Sequence, residues 1–374
     1  MTDRLVIEGG CFKKQKNVIA NGNDFQQIIG NDSFSCHGEE RNNPEKKHSV
    51  LLKDKVFAMT EKRTYETHPD ETNEKRILFC IASHIMEVLM PDTLDWERLL
   101  PSFKLFKVET ADEKSAICSV RAIEQPIPVV PDSAKLLYEV SNQFGYLYCL
   151  LETEQKYISD VQFVENGNHY QMISDKNFST STVYVDWNEE FAGTVLSSFL
   201  MIAFAQSAVL HKTLLIHASV VEKDGYGYAF LGKSGTGKST HSALWLRYIE
   251  DTTLLNDDNP VIRIEEDGSV YVYGTPWSGK TPCYNNRRVL LNALVRLQQA
   301  ASNRFVWQQG VNALITLLPS CSSMRWNTLL YDEMCSNLEK VVSSVKIACL
   351  ACLPNRDAAL LCYEEIKNVN ENNL

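Results

Sequence analysis

The run Gly232-Lys233-Ser234-Gly235-Thr236-Gly237-Lys238-Ser239 limits this chain more than any other segment. It fits G-x-x-x-x-G-K-[ST], a pattern with physical meaning only between a strand and a helix. Glycines let the backbone curl until successive N–H groups point at one anion, and a helix starting near Gly237 adds the positive end of its dipole. Both flanks are present: residues 226–231 read as an apolar strand, and residues 237–250 as an amphipathic helix. The pattern requires an α/β unit and implies a nucleoside triphosphate with magnesium, ATP being expected. Residues from Gly232 to Thr240 would cradle the phosphates, Lys238 would reach the β and γ groups, and the Ser239 hydroxyl would hold magnesium.

The neighbourhood adds candidate chemistry. Residues 214–221 read as one apolar strand, and Glu222-Lys223-Asp224-Gly225 as the turn of a hairpin that feeds the glycine loop. His217 lies inside that strand, where a satisfied core histidine is as good a reading as a catalytic one. Beyond the helix, Leu254-Leu255-Asn256 leads into Asp257-Asp258. Adjacent side chains on a strand face opposite ways, so both carboxylates serve one site only if the chain bends, and Asn259-Pro260 supplies a break. One would then bind metal while the other orients or deprotonates an attacking hydroxyl; a solvated Asp-Asp-Asn-Pro turn is the alternative. Further strands are expected at residues 253–255, 261–264 and 270–273, with a turn at Asp267-Gly268, and a strand at 345–353 precedes a helix at 358–367.

Ahead of this unit, residues 1–73 form a polar leader of disordered character. A β-rich unit follows over residues 74–188, with apolar runs at 77–82 and 85–90 and strands near 104–108, 116–123, 144–151, 157–164 and 169–173. A helix with 3.6-residue periodicity over 188–210 opens the nucleotide-binding unit of residues 189–368, and residues 369–374 form a tail.

The chain has 374 residues, 44% hydrophobic, enough for two or three cores. Its net charge of −10 and the lack of dense Lys/Arg runs argue against nucleic acid as a partner. The first residues carry charges rather than a secretory apolar core, and the longest apolar run, residues 199–210, falls short of the roughly 20 residues of a membrane span. A cytoplasmic protein with no membrane partner is expected. The eleven cysteines are then reduced thiols, and Cys349-x-x-Cys352 reads either as a buried strand or as a redox or metal half-site.

His217-Ala218-Ser219-Val220-Val221, the hairpin, the loop from Gly232 to Thr240, and Asn256-Asp257-Asp258 together resemble the C-terminal catalytic domain of HPr kinase/phosphorylase, whose nucleotide-binding fold is shared with ATP-dependent phosphoenolpyruvate carboxykinase. The resemblance covers about residues 190–365. The preceding segment with Leu99-Leu100-Pro101-Ser102-Phe103 resembles the front domain of bacterial relatives of that kinase. It implies a fold of that P-loop type behind a smaller β-rich domain, and transfer of a γ-phosphoryl group from ATP to a hydroxyl on a protein serine or a small metabolite. Lys238 and Ser239 would bind phosphate and magnesium, Asp257 would accept the hydroxyl proton, Asp258 would assist at the metal, and His217 would line the phosphate site. The glycine-rich signature that follows the aspartates in that family is absent, and Gly274-Thr275-Pro276-Trp277-Ser278-Gly279-Lys280 stands in its region. Lys280 or Arg287-Arg288 could clamp the transferred phosphate, an exposed basic loop being the commoner alternative. A nucleotide-binding regulatory module without transfer, or carboxykinase-like chemistry, are the alternatives. The expected partners are a nucleotide and an unidentified acceptor, with homo-oligomer formation left open.

Overall fold

A computed structural model describes residues 73–110, 116–141, 147–162, 168–279 and 281–371. The polar leader lies outside these residues, as does Lys280. The structure is mixed α/β, built on two large mixed sheets.

The first sheet has nine strands in the order β3-β1-β2-β4-β9-β8-β7-β6-β5. They are β1 (Glu74–Ile81), β2 (His84–Pro91), β3 (Lys107–Val108), β4 (Ala116–Ile123), β5 (Lys135–Ser141), β6 (Leu147–Glu152), β7 (Lys156–Gln162), β8 (His169–Asp175) and β9 (Thr180–Tyr184). The strand expected over 104–108 is largely a 3₁₀ helix, Pro101–Phe106, entered from the short helix α1 (Trp96–Leu99). Pro101 pre-sets the first turn, and the three-residue period puts Phe103 and Phe106 on one buried face. Phe103 packs edge-on against Phe79 of β1 and Trp277 of the second unit.

Helix α2 (Ala192–Val209) is long and apolar enough by composition to cross a membrane, more so than the run at 199–210 suggested, yet 83% of it is buried inside the protein. It is covered on all sides rather than along one stripe. Phe199, Ile202 and Phe204 join the core formed with β1, β2 and β4, and that same core takes in Tyr273, Trp277 and Leu330. The two sheets therefore share α2 as common packing material.

The second sheet runs β10-β14-β15-β16-β12-β11-β13, with β18 on the far side of β16 and β17 on β18. Its strands are β10 (Thr213–Leu215), β11 (Ala218–Lys223), β12 (Tyr226–Leu231), β13 (Thr253–Asp258), β14 (Val261–Ile264), β15 (Val270–Tyr273), β16 (Arg288–Gln299), β17 (Arg304–Gln308) and β18 (Lys346–Cys352). β12 and β18 run parallel to β16. Helices α3 (Lys238–Tyr248) and α6 (Arg356–Glu371) cover one face through Trp245, Ile249, Cys362 and Ile366. Helices α4 (Gly310–Leu317) and α5 (Thr328–Ser344) cover the other through Ala313, Leu317, Met334 and Leu338.

The single strand expected over 214–221 is two. β10 pairs with β14, β11 pairs with β12 and β13, and the chain changes partners at Ile216-His217, where the His217 N–H donates to the Ser320 carbonyl. The Cys349/Cys352 alternative resolves toward the strand. An odd spacing puts the two on opposite faces: Cys349 lies beside Thr316 of α4, and Cys352 packs with the α3/α6 side. Both are free thiols, and no group of three or more His, Cys, Asp or Glu fit to hold a metal occurs among the described residues.

Candidate functional site

The glycine loop leaves β12 at Leu231 and enters α3 at Lys238. Gly237, the residue before the helix, has φ +106°, a conformation that L side chains rarely adopt. The loop's shape thus depends on glycine where the helix begins. Lys238 is buried, and its Nζ donates to the Gly232 carbonyl at 3.2 Å. Burial pushes its pKa below the usual lysine value; Asp258 and then Asp257 pull it back up, and Arg296 pushes it down. Lys238 is therefore folded back over its own loop, with its Nζ on the Gly232 carbonyl.

β13 delivers the two aspartates, both buried, at the end of the sheet. Ser239 Oγ donates to Asp257 Oδ1 at 2.9 Å. Asp258 departs from strand geometry, with φ +124°, and its Oδ1 lies 3.0 Å from His217 Nε2. The bend required for both carboxylates to serve one site is thus at Asp258 itself, one residue ahead of Asn259-Pro260. His217 is 3% exposed; its Nε2 contact with Asp258 is an ion pair only when the ring is protonated, and neither ring nitrogen has a hydrogen-bond partner among the described residues. Its position follows from the partner change between β10 and β11.

The contacts set the two aspartates apart. The Ser239 hydroxyl meets Asp257, whereas Asp258 faces His217 and accepts from Asn259 Nδ2 at 3.1 Å. A hydroxyl and a carboxylate this close fit magnesium, which takes one or two carboxylates and fills its remaining positions with phosphate oxygens and water.

The segment from Gly274 to Gly279 is a brace. The Gly279 N–H and Ser278 Oγ both donate to the Asp257 carbonyl, at 2.6 and 3.1 Å. Thr275 Oγ1 donates to the Asn259 carbonyl at 2.7 Å, and Asn256 Nδ2 reaches Thr275 Oγ1 at 3.3 Å. Trp277 Nε1 donates to the Ser197 carbonyl of α2 at 3.1 Å, tying the brace to the central helix. Arg287 and Arg288 are not at the aspartates: Arg287 pairs with Glu222, and Arg288 pairs with Glu265 and Tyr273.

Two features have no counterpart in the sequence reading. Arg296, on β16 beside Leu231, is a half-buried cation; its Nε donates to the Thr316 carbonyl at 2.6 Å, its Nη2 to Ser320 Oγ at 2.9 Å, and desolvation lowers its pKa. A cavity of about 460 Å³ also opens beside Gly235 to Gly237, walled by Leu244, Leu297, Leu353 and Pro354, with Thr240 and His241 on its border. Gln299 Nε2 bridges that cavity to the loop through the Gly235 carbonyl at 3.1 Å. Both depend on β16, which carries no motif.

No protein-family model and no curated protein matches the chain. Among solved structures, the Hpr(Ser) kinase/phosphatase from Coxiella burnetii aligns with 42% of this chain and 97% of its own length, at 10% identity and a TM-score of 0.26. A likeness that slight carries no functional assignment.

Proposed function

We propose that the chain is an ATP-dependent phosphotransferase, moving a γ-phosphoryl group to a hydroxyl acceptor. One observation carries the reading: behind a glycine loop with a buried lysine stand two differently engaged carboxylates, Asp257 on Ser239 and Asp258 beside a buried His217. A structural turn gains nothing from burying a lysine, two aspartates and a histidine in one place, since each costs desolvation.

In this reading Lys238 leaves the Gly232 carbonyl for the β and γ phosphates, and the backbone N–H groups of residues 233–238 hold the oxygens. The nucleoside occupies the mixed polar and apolar cavity bordered by Leu244, Leu297 and Pro354, with Thr240, His241 and Gln299 also on its lining. Ser239 and Asp257 are the pair that would hold magnesium, which when bound neutralises phosphate charge. Asp258 accepts the acceptor hydroxyl's proton, and a His217 ring N–H is available to a phosphoryl oxygen.

Binding of a fluorescent ATP analogue and ATP turnover, measured with and without magnesium, test this. Lys238→Ala weakens nucleotide binding at least about tenfold. Asp257→Asn blunts the magnesium dependence of binding. Asp258→Asn keeps binding and lowers turnover by roughly 10²–10⁴-fold. A wild type that binds no nucleotide defeats the reading, and turnover indifferent to Asp258 moves the protein to the class of nucleotide-binding regulators.

A further inference from the structure

Phosphoryl transfer needs a place for the acceptor near Asp258, and a second cavity of about 260 Å³ is lined by Asn259, the residue that follows Asp258 and bonds to its carboxylate. Its walls come from three parts of the chain that lie far apart in sequence. Ser102 belongs to the turn after α1, Thr194 and Ser197 to the first turns of α2, and Asn259, Trp277 and Tyr284 to the aspartate loop and its brace. The turn and the helix leave no gap between them: a Cβ on Gly193 would stand 2.3 Å from the Leu99 carbonyl oxygen.

Asn259 gives the cavity its polarity. It is 1% exposed, and its Nδ2 donates to Asp258 Oδ2 at 3.1 Å, which fixes the amide's orientation. Its Oδ1 is then an acceptor with no partner among the described residues, and a buried acceptor left so is costly unless a ligand O–H fills it. Asn259 therefore links the cavity directly to the carboxylate that would take the proton.

The remaining lining selects the ligand class. Hydroxyl groups of Ser102, Thr194 and Ser197 alternate with Trp277, Tyr284 and Met201, and no charged side chain appears among the described lining residues. Among the described lining residues nothing would pair with a charged acceptor and offset its desolvation cost. The volume falls just below the roughly 300–1,000 Å³ typical of pockets for drug-sized ligands, so a smaller molecule fits.

Resting on the phosphotransferase reading, we infer that this cavity binds the acceptor and that the acceptor is a neutral polyhydroxylated small molecule of about monosaccharide size. One of its hydroxyls gives its proton to Asp258 while its oxygen bonds to the γ-phosphorus. The bond from that phosphorus to the β,γ-bridging oxygen breaks, and ADP leaves. Asn259 is a positioning residue, holding a second hydroxyl.

The test offers the full-length protein a panel of D-glucose, D-ribose, myo-inositol and glycerol, with a serine-containing peptide as comparison. Binding is followed calorimetrically, transfer by labelled phosphate from γ-labelled ATP, and nucleotide affinity on the same samples. The expected result is transfer to at least one polyol, a KM for that polyol raised at least about tenfold by Ser102→Trp at the half-buried rim, and a smaller rise for Thr194→Val, with nucleotide affinity unchanged in both. Wild-type protein that binds nucleotide but neither binds nor phosphorylates any polyol overturns the inference and leaves the nucleotide site standing. So does peptide phosphorylation that Ser102→Trp leaves intact. Failure of wild type to bind nucleotide removes the phosphotransferase reading and this inference with it.

Discussion

Asp258 carries two demands that conflict. Its φ of +124° is costly for any residue with a Cβ, yet it is what turns the carboxylate away from ordinary strand alternation and toward His217. Asp258→Gly and Asp258→Ala both delete the carboxylate, but only glycine relieves the backbone. Asp258→Gly is therefore expected to be more stable than Asp258→Ala by about 1–2 kcal/mol, read from urea midpoints at matched m-values. Equal midpoints would mean that the surrounding loop relaxes to accommodate a Cβ. The same residue marks the limit of sequence reading. The pair and the need for a bend are visible in Asp257-Asp258-Asn259-Pro260, because alternation on a strand is a simple rule. Which carboxylate meets Ser239 is not, because it depends on a dihedral angle that residue type does not specify. His217 was readable as an interrupted apolar run, but its exposure to the site follows from a partner change that depends on β14 and Ser320.

Among elements, α2 comes very close to the last residue of α1 beside the site. A methyl at position 193 would press on the Leu99 backbone carbonyl, which has no rotamer to change. Gly193→Ala is expected to lower stability by about 1–3 kcal/mol, seen as a drop in Tm; an unchanged Tm would show that the turn shifts freely. Residue patterns announced elements unevenly. β12, the glycine loop and α3 were legible because strand, glycines and helix confirm one another over a short span, and the turn at Asp224-Gly225 has both residues at positive φ as its sequence suggests. The β1–β2 hairpin turns at Ala82-Ser83, also both at positive φ, with no glycine or asparagine to signal it. β16, which supplies Arg296 and Gln299, gave no signal because a buried central strand carries apolar residues without a distinctive period. The helix expected over 188–210 is α2, shorter at its start, and the apolar residues behind its 3.6-residue period are joined by buried neighbours because both sheets pack on it.

For the molecule as a whole, the two sheets also meet at a small polar junction away from the nucleotide site. His84 Nε2 donates to Thr213 Oγ1 at 2.8 Å, Thr213 Oγ1 donates onward to the His211 carbonyl, and Arg263 Nη1 donates to the Ala82 carbonyl at 2.7 Å. Burial, with help from Arg263 and His211, pushes the His84 pKa down to about 3. The unfolded chain, with an ordinary histidine, then binds the extra proton between about pH 6.5 and pH 3, so stability is lost as pH falls through that window. The contribution is about 1.4 kcal/mol per pH unit. Chemical unfolding at pH 7 and pH 5 should show this loss, and His84→Gln should reduce the slope by about one proton; an unchanged slope would assign the acid sensitivity to other groups.

β13 closes the second sheet on one side among the described strands, and its outer edge would ordinarily be an invitation to another chain. Ser278 forms a bridge with Asp258 there, and Gly279 takes the Asp257 carbonyl. The segment that steadies the carboxylates is thus also the plug on an open β edge. Substitutions that loosen it would be felt beyond turnover, as strand-to-strand association between molecules, and the demand for a well-held site and the demand for solubility fall on the same few residues.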